Sequence, residues 1–319
     1  MSVLQSSLQM GMGIVLLLAG AEGLVRGSAA LALRFGLTPL VVGLTVVAFG
    51  TSSPELVVSV RAALSGDGGF AIGNVVGSNV ANLALIVGIA AALSPMAIQR
   101  NLVRWDLPVM LGSAILLVLL LLDGTLGRVE GVVLFAGIVG YVVFSIRASR
   151  NEVKDQLDDA PLAVPAGEEQ VTTSTWRQAL LTIGGLALLL FGANQLLEGA
   201  IATAERLGVS EAIIGLTIVA VGTSVPELAT TFVAALRKQG DIALGNAIGS
   251  NVFNTFGVLG PAAIVQPMTR EGVDDDVLLI MLAVSALTFG LLWTGMKTRR
   301  WEGILLIALY AIYIWWIIP

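Results

Sequence analysis

The chain has 319 residues, 56% of them hydrophobic and only 12% charged, with a net charge of −5 and a mean hydropathy of +0.91. Soluble globular domains carry about 25% charged residues, so a soluble fold is excluded, and the acidic balance leaves no nucleic-acid footprint. There is no cysteine and no histidine, which excludes disulfides, thiol redox chemistry, histidine-ligated zinc and the usual proton-shuttling side chain.

The N-terminal stretch MSVLQSSLQMGMG has no basic residue ahead of its apolar run. It does not read as a cleaved signal, so the first hydrophobic segment is expected to be kept as a span. Ten spans are expected, at about 8–33, 37–63, 70–93, 106–122, 128–147, 176–203, 209–235, 242–265, 276–295 and 301–318. The runs are continuous rather than alternating, which favours helices over a barrel. The fold class expected is an all-α polytopic membrane protein. Between the fifth and sixth spans lies RASRNEVKDQLDDAPLAVPAGEEQVTTSTWRQ, with Pro161, Pro165 and six acidic residues. It reads as a flexible linker, 148–175, too short for a regulatory domain.

Lysine and arginine fix the expected orientation. With the N-terminus outside, the cytoplasmic segments hold Arg34, Arg100, Arg104, Arg147, Arg150, Lys154, Arg177, Arg237, Lys238, Lys297, Arg299 and Arg300. The outside segments hold Arg61, Arg128, Arg206 and Arg270. Both ends are therefore expected outside and the linker in the cytoplasm.

The second half repeats the first at an offset of 172 residues. GLTVVAFGTSSPEL (43–56) matches GLTIVAVGTSVPEL (215–228) at eleven of fourteen positions, and IGNVVGSNVAN (72–82) matches LGNAIGSNVFN (244–254) at seven of eleven. The offset also pairs Gly36 with Gly208 and the Arg128–Glu130–Gly131 group with Arg300–Glu302–Gly303. Five spans per half is an odd number, so the halves, 1–147 and 176–319, enter the membrane from opposite sides, as in inverted-repeat transporters.

The first motif places a helix break and an acid in apolar sequence. Gly50 can end one half-helix, Ser53 can cap the next, and Pro54 suits its first turn. Gly222, Thr223, Ser224, Val225, Pro226 and Glu227 repeat the pattern. A break frees carbonyls, for example those of Ala48 and Ala220. A lone carboxylate at the bilayer centre is costly and functional by default. Pseudo-symmetry would bring Glu55 and Glu227 together, where they would repel unless they share a proton or cations. Ser78, Asn79 and Asn82, with Ser250, Asn251 and Asn254, add hydroxyls and amides. Such an oxygen set suits hard cations, Ca²⁺ and Na⁺, and not soft metals.

Blander readings stand beside this one. Gly73, Gly77, Gly245 and Gly249 read first as close helix packing. Asn79 and Asn251 read equally as backbone fasteners or as ligands. Glu22 and Arg26, four apart, read as an in-helix pair more readily than as an ion path, with Asn194 and Glu198 as their offset partners. Asp67, Asp274, Asp275 and Asp276 read as solvated loop charge.

The paired GTSxPE and GNxxGSN blocks resemble the α-repeats of the sodium/calcium exchanger family, and the resemblance covers nearly the whole chain, in the style of compact prokaryotic members. It implies a secondary antiporter that exchanges Na⁺ for Ca²⁺ at one shared carboxylate site, extruding Ca²⁺ electrogenically, with the first and sixth spans sliding across the rest. It implies a calcium site at Glu55 and Glu227 with the main chain of Thr51 and Thr223. It implies sodium sites from the carboxylates with Ser52, Ser224, Ser78, Ser250, Asn82 and Asn254 and the carbonyls of Ala48 and Ala220. No cofactor and no obligatory protein partner is implied beyond the ions and the bilayer of a prokaryotic plasma membrane. Several prokaryotic and potassium-dependent members carry an acid where this chain has Asn254, which argues against potassium dependence and loosens the stoichiometry. Proton-coupled relatives tend to have an acid, often with histidine, after their GN motifs, where this chain has glycine and Ser/Asn. Three other readings remain: an H⁺/Ca²⁺ exchanger on the same carboxylates, a channel-like pore, and, more distantly, an intramembrane enzyme, which without histidine has no Ser/His dyad and no HExxH motif.

Overall fold

A computed structural model describes residues 3–158, 174–207 and 220–317. The described chain is helical apart from one short pairing of strands and its loops. In chain order the elements are α1 (Val3–Arg34), α2 (Pro39–Thr51), α3 (Ser53–Leu64), α4 (Gly68–Leu93), α5 (Leu102–Leu120), β1 (Thr125–Leu126), α6 (Arg128–Asp158) and α7 (Thr175–Arg206). They continue with α8 (Ala220–Thr223), α9 (Val225–Leu236), α10 (Gly240–Val265), β2 (Met268–Thr269), α11 (Asp275–Gly295) and α12 (Arg300–Ile317).

Eight of these helices are long and apolar enough to cross a membrane, and α2 with α3 forms a ninth candidate bent by 45°. Of the span expected at 209–235, only 220–235 falls among the described residues, as α8 and α9. The fifth span outruns its expected end: α6 continues through Asp158, so the first eleven residues of the expected linker are helical. NEVKDQLD includes the good helix formers Glu, Lys, Gln and Leu, and neither Gly nor Pro interrupts the chain before Pro161,. Residues 159–173 of that linker lie outside the described residues.

The offset in the sequence is an antiparallel relation in space. On α1, a Cβ at Gly13 would meet Gly192 and Leu196 of α7, one at Gly20 would meet Gly185 and Leu189, and one at Gly27 would meet Gln178 and Thr182. Positions rising along α1 thus meet positions falling along α7, although the two helices are sequence equivalents. The backbones touch so closely that a Cβ at Gly20 would lie 2.3 Å from Leu189 N, the small-residue packing by which helices associate without a hydrophobic driving force. The same kind of contact between the halves occurs twice more: Gly88 of α4 abuts Gly303 of α12, and Gly260 of α10 abuts Gly131 of α6. Both pairs are related by 172.

The loops repeat as well. Thr125 pairs antiparallel with Thr269 at one end, and Ala97 pairs with Lys297 at the other. Loops assigned to one side by the charge count therefore meet one another. Left-handed backbone falls at Gly66 (φ 83°) and its equivalent Lys238 (φ 59°), and at Gly124 (φ 81°) and its equivalent Met296 (φ 48°). The first half supplies glycine where the second tolerates a side chain.

Gly245 and Gly249 pack as expected, each having no room for a Cβ against Leu40 or Leu44. Among the described residues, Gly73 has only Val273 within reach and Gly77 has nothing within 4 Å. The segment equivalent to their partners, 212–219, lies outside the described residues.

Candidate ion-binding site

The break in the second span falls at Ser52, whose φ of −81° and ψ of 4° leave the helix between α2 and α3. Ser224 does the same between α8 and α9, at φ −89° and ψ 5°. This corrects the expected role of Ser53, which is the first residue of α3 rather than its cap. Pro54 has no N–H to offer the carbonyl four residues back, Gly50 O, and the Ser53 hydroxyl takes that carbonyl instead. The Ala48 carbonyl is not freed either: it accepts the Ser52 N–H at 2.9 Å. The Thr51 hydroxyl also reaches this oxygen, at 3.3 Å. Ala220 opens α8.

Each half-helix then presents its acid in its first turn, and both Glu55 and Glu227 are 0% exposed. Their hydrogen bonds cross between the halves. Ser52 Oγ donates to Glu227 Oε1 (3.0 Å), and Ser224 Oγ lies 3.2 Å from Glu55 Oε1 and 3.1 Å from Ser78 Oγ. Thr51 and Ser250 also approach Glu227, and Thr223 approaches Glu55. The residue that breaks each helix is thus the one that reaches the opposite acid. Glu55, Glu227, Ser52, Ser224, Ser78, Ser250, Thr51 and Thr223 form one buried oxygen cluster.

Asn82 and Asn254 sit one turn beyond Ser78 and Ser250, each inside a wide π turn, Ala81–Ile86 and Phe253–Val258. Such turns cluster at functional sites because they re-aim a side chain within a helix. Both amides are fully buried, and neither the oxygen nor the nitrogen of either has a hydrogen-bond partner among the described residues. The same is true of Glu55 Oε2 and Glu227 Oε2. Buried polar atoms are nearly always satisfied. Four orphaned acceptor oxygens in one interior are what a bound hard cation requires, so the residues fit the ions inferred from the motifs.

Asn74 and Asn246 were absent from the sequence-based candidates and prove central to the scaffold. Thr51 Oγ1 lies 3.1 Å from Asn246 Oδ1, while Asn246 Nδ2 donates to Thr231 Oγ1 (3.0 Å) and to the Glu227 carbonyl (3.3 Å). In the other half, Thr223 Oγ1 lies 3.4 Å from Asn74 Oδ1, and Asn74 Nδ2 donates to Ser59 Oγ (3.1 Å). Each asparagine aims a threonine of the opposite half. Both stand in the GN pair that opens the duplicated block, a signal visible in the sequence.

Asn79 donates to Thr255 Oγ1 (3.1 Å) in the other half while its Oδ1 has no partner among the described residues, and Asn251 donates to the Ala247 carbonyl (2.9 Å) one turn back in its own helix. Glu22 pairs with Arg26 as expected and also with Arg237. Glu198, the offset relative of Arg26, accepts from Gln9 (2.9 Å). Asp67 caps α4 through the Phe70 N–H (3.1 Å), and Asp275 pairs with Arg270.

A sodium/calcium exchanger protein profile matches residues 6–147 and again 177–318, one match per half. The chain belongs to the sodium/calcium exchanger family. Two relatives match over nearly their full length. CaxA of Alkalimonas amylolytica, named as an antiporter without an ion, is 36% identical over 305 residues, covering 94% of this chain and 95% of its own. The sodium/calcium exchanger MaX1 of Methanosarcina acetivorans is 33% identical over 335 residues, covering 95% of each. Among solved structures, the sodium-calcium exchanger NCX_Mj soaked with 10 mM Na⁺ and no Ca²⁺ superposes with a TM-score of 0.85 at 31% identity, over 98% of this chain and 99% of that one. Family and fold make this chain a multi-pass cation/Ca²⁺ antiporter.

Proposed function

We propose that this antiporter couples Ca²⁺ movement to Na⁺, and that Glu55 and Glu227 hold both ions in turn. The reciprocal Ser52–Glu227 and Ser224–Glu55 contacts carry this reading, since they make one site from both halves. One Ca²⁺ or two Na⁺ neutralise two carboxylates. Thr51 and Thr223 would contribute main-chain oxygen to Ca²⁺. Ser52, Ser78, Asn82, Ser224, Ser250 and Asn254, with the carbonyls of Ala48 and Ala220, would complete the Na⁺ positions. A third Na⁺ in this set makes each cycle electrogenic.

Exchange follows from electrostatics. Two buried carboxylates without ions are costly to occlude, so the empty transporter resists switching sides and leak is suppressed. We take residues 1–147 and 176–319 as the two units, the linker as cytoplasmic and both termini as external, with Ca²⁺ moved outward in exchange for Na⁺ entering down its gradient. In Na⁺-loaded proteoliposomes, Glu55→Gln is expected to abolish ⁴⁵Ca²⁺ uptake; wild-type flux in that variant would sink the assignment. Uptake driven by a pH gradient without Na⁺ would replace Na⁺ by H⁺ as the coupling ion, and single-channel conductance without a counter-ion would point to a pore.

A further inference from the structure

A second buried oxygen cluster lies where the start of α2 meets α5 and α6. Tyr141, Ser145, Ser149 and Glu152 recur at helical spacing on one face of α6,. A wide turn over Leu102–Asp106 opens α5, and Asp106 is buried to 5% exposure. The Tyr141 hydroxyl donates to Asp106 Oδ1 (3.1 Å). The Ser149 hydroxyl donates to Thr38 Oγ1 (3.3 Å) and accepts from the Thr38 N–H (2.8 Å). Ser145 stands one turn from both Tyr141 and Ser149 and is 3% exposed; its Oγ approaches the Tyr141 hydroxyl but makes no well-formed hydrogen bond among the described residues.

Thr38, Asp106, Ser145 and Ser149 border a cavity of about 20 Å³, with Glu152, paired to Asn101 at 2.7 Å, also lining it. About 10–15 Å³ of such space admits one water-sized particle. None of the three ion pairs among the described residues includes Asp106, and Arg104 is turned over the Trp105 ring, 5.0 Å from its centroid. A buried carboxylate without a basic partner needs a proton or a cation. The offset sets Leu278 opposite Asp106 and Ile317 opposite Ser145, so this cluster is not a copy of the central site.

We infer that the Asp106–Ser145–Thr38 cavity is a second cation site, separate from the transport site, that takes one Na⁺. The donor set is carboxylate and hydroxyl oxygen, which suits a hard ion. Asp106 is the buried carboxylate and balances one positive charge, while Glu152, the other carboxylate on the wall, is half-buried and already engaged by Asn101. Bound there, Na⁺ ties the first turn of α2 to α5 and α6, and so braces the helix that ends at the Ser52 break.

The test uses the full chain in detergent carrying Glu55→Gln and Glu227→Gln, so the central carboxylates no longer report Na⁺. Melting is followed as NaCl replaces choline chloride at constant ionic strength. The midpoint should rise with Na⁺, Asp106→Asn should remove the rise, and Ser145→Ala, which keeps the carboxylate and the fold, should raise the half-maximal Na⁺ concentration by about threefold or more. A midpoint indifferent to Na⁺, or a Na⁺ response that Ser145→Ala leaves unchanged, would overturn the proposal. Because the central site is disabled throughout, the outcome does not depend on whether exchange at Glu55 and Glu227 is coupled to Na⁺.

Discussion

At the scale of single residues, the site is a pair of acids each served by the other half of the chain. Ser52 and Ser224 each form the helix break and contact the opposite acid, so Ser52→Ala keeps a break that Pro54 enforces while removing the donor to Glu227. Losing one hydrogen bond to a charged, buried group costs about 1.5–3 kcal/mol, and the apparent Ca²⁺ affinity should fall roughly tenfold or more, since 1.4 kcal/mol is tenfold. Titration of initial ⁴⁵Ca²⁺ uptake against Ca²⁺ checks this. Asn246→Ala leaves the Thr51 hydroxyl, Thr231 and the Glu227 carbonyl without their shared partner. It should lower uptake at subsaturating Ca²⁺ while the protein still runs as a single species on gel filtration; unchanged uptake would deny Asn246 its orienting role. Protons compete with cations for the same carboxylate oxygens, so uptake should fall as pH drops from 8 to 6 and recover with raised Ca²⁺. An acid inhibition that extra Ca²⁺ cannot relieve would place the titrating group elsewhere. Glu55 and Glu227 were legible in the sequence because an acid inside an apolar run is expensive, and the duplication doubled the signal. Asn74 and Asn246 escaped because asparagine in a Gly-rich helix carries no such cost until its partners are known.

At the scale of helices, the repeat makes each element its own control. Met296 and Lys238 occupy left-handed backbone that Gly124 and Gly66 occupy in the other half. A non-glycine residue there is strained by about 1 kcal/mol. Met296→Gly should therefore raise thermal stability in detergent, whereas Gly124→Ala should lower it; a lower midpoint for Met296→Gly would mean its side chain contributes more than its backbone costs. Gly185 has no room for a side chain against Gly20 and Leu24, so Gly185→Leu should separate α1 from α7 and abolish both folding yield and transport. The two-part second span was readable from proline, serine and glycine in an apolar run. Its detail was not. Ser53 had the chemistry of a cap, yet the break lies one residue earlier, because Pro54 forces its preceding turn and Ser53 is drawn to the carbonyl that proline strands. The π turns that carry Asn82 and Asn254 have no composition signal, since Ala-Asn-Leu-Ala-Leu-Ile reads as ordinary helix.

For the whole molecule, one internal repeat with an odd number of spans dictates antiparallel halves, and the α1–α7 contacts have that sense. The lysine and arginine bias assigns a side to each end, and the loop pairings at 97 with 297 and 125 with 269 are consistent with the two groups of loops it defines. The chain has no cysteine, so single-cysteine labelling is free of background. Cysteine at Thr269 should react with an impermeant maleimide added outside intact cells, and cysteine at Ala97 should react only after permeabilisation; the reverse pattern would invert the topology. Architecture was legible because composition, periodicity and repeat all point one way. The extension of α6 to Asp158 was not, because a charged amphiphilic segment without a breaker reads equally as linker or helix.

The central claim is that Na⁺ and Ca²⁺ exchange at one site shared by the two halves. The most direct measurement is ⁴⁵Ca²⁺ uptake into Na⁺-loaded proteoliposomes diluted into Na⁺-free or Na⁺-containing buffer at matched pH, with wild type beside Glu227→Gln. Uptake in the wild type only when Na⁺ can flow outward, and none in the variant, is the result expected. Uptake that is indifferent to the Na⁺ gradient, or that survives loss of Glu227, would contradict it.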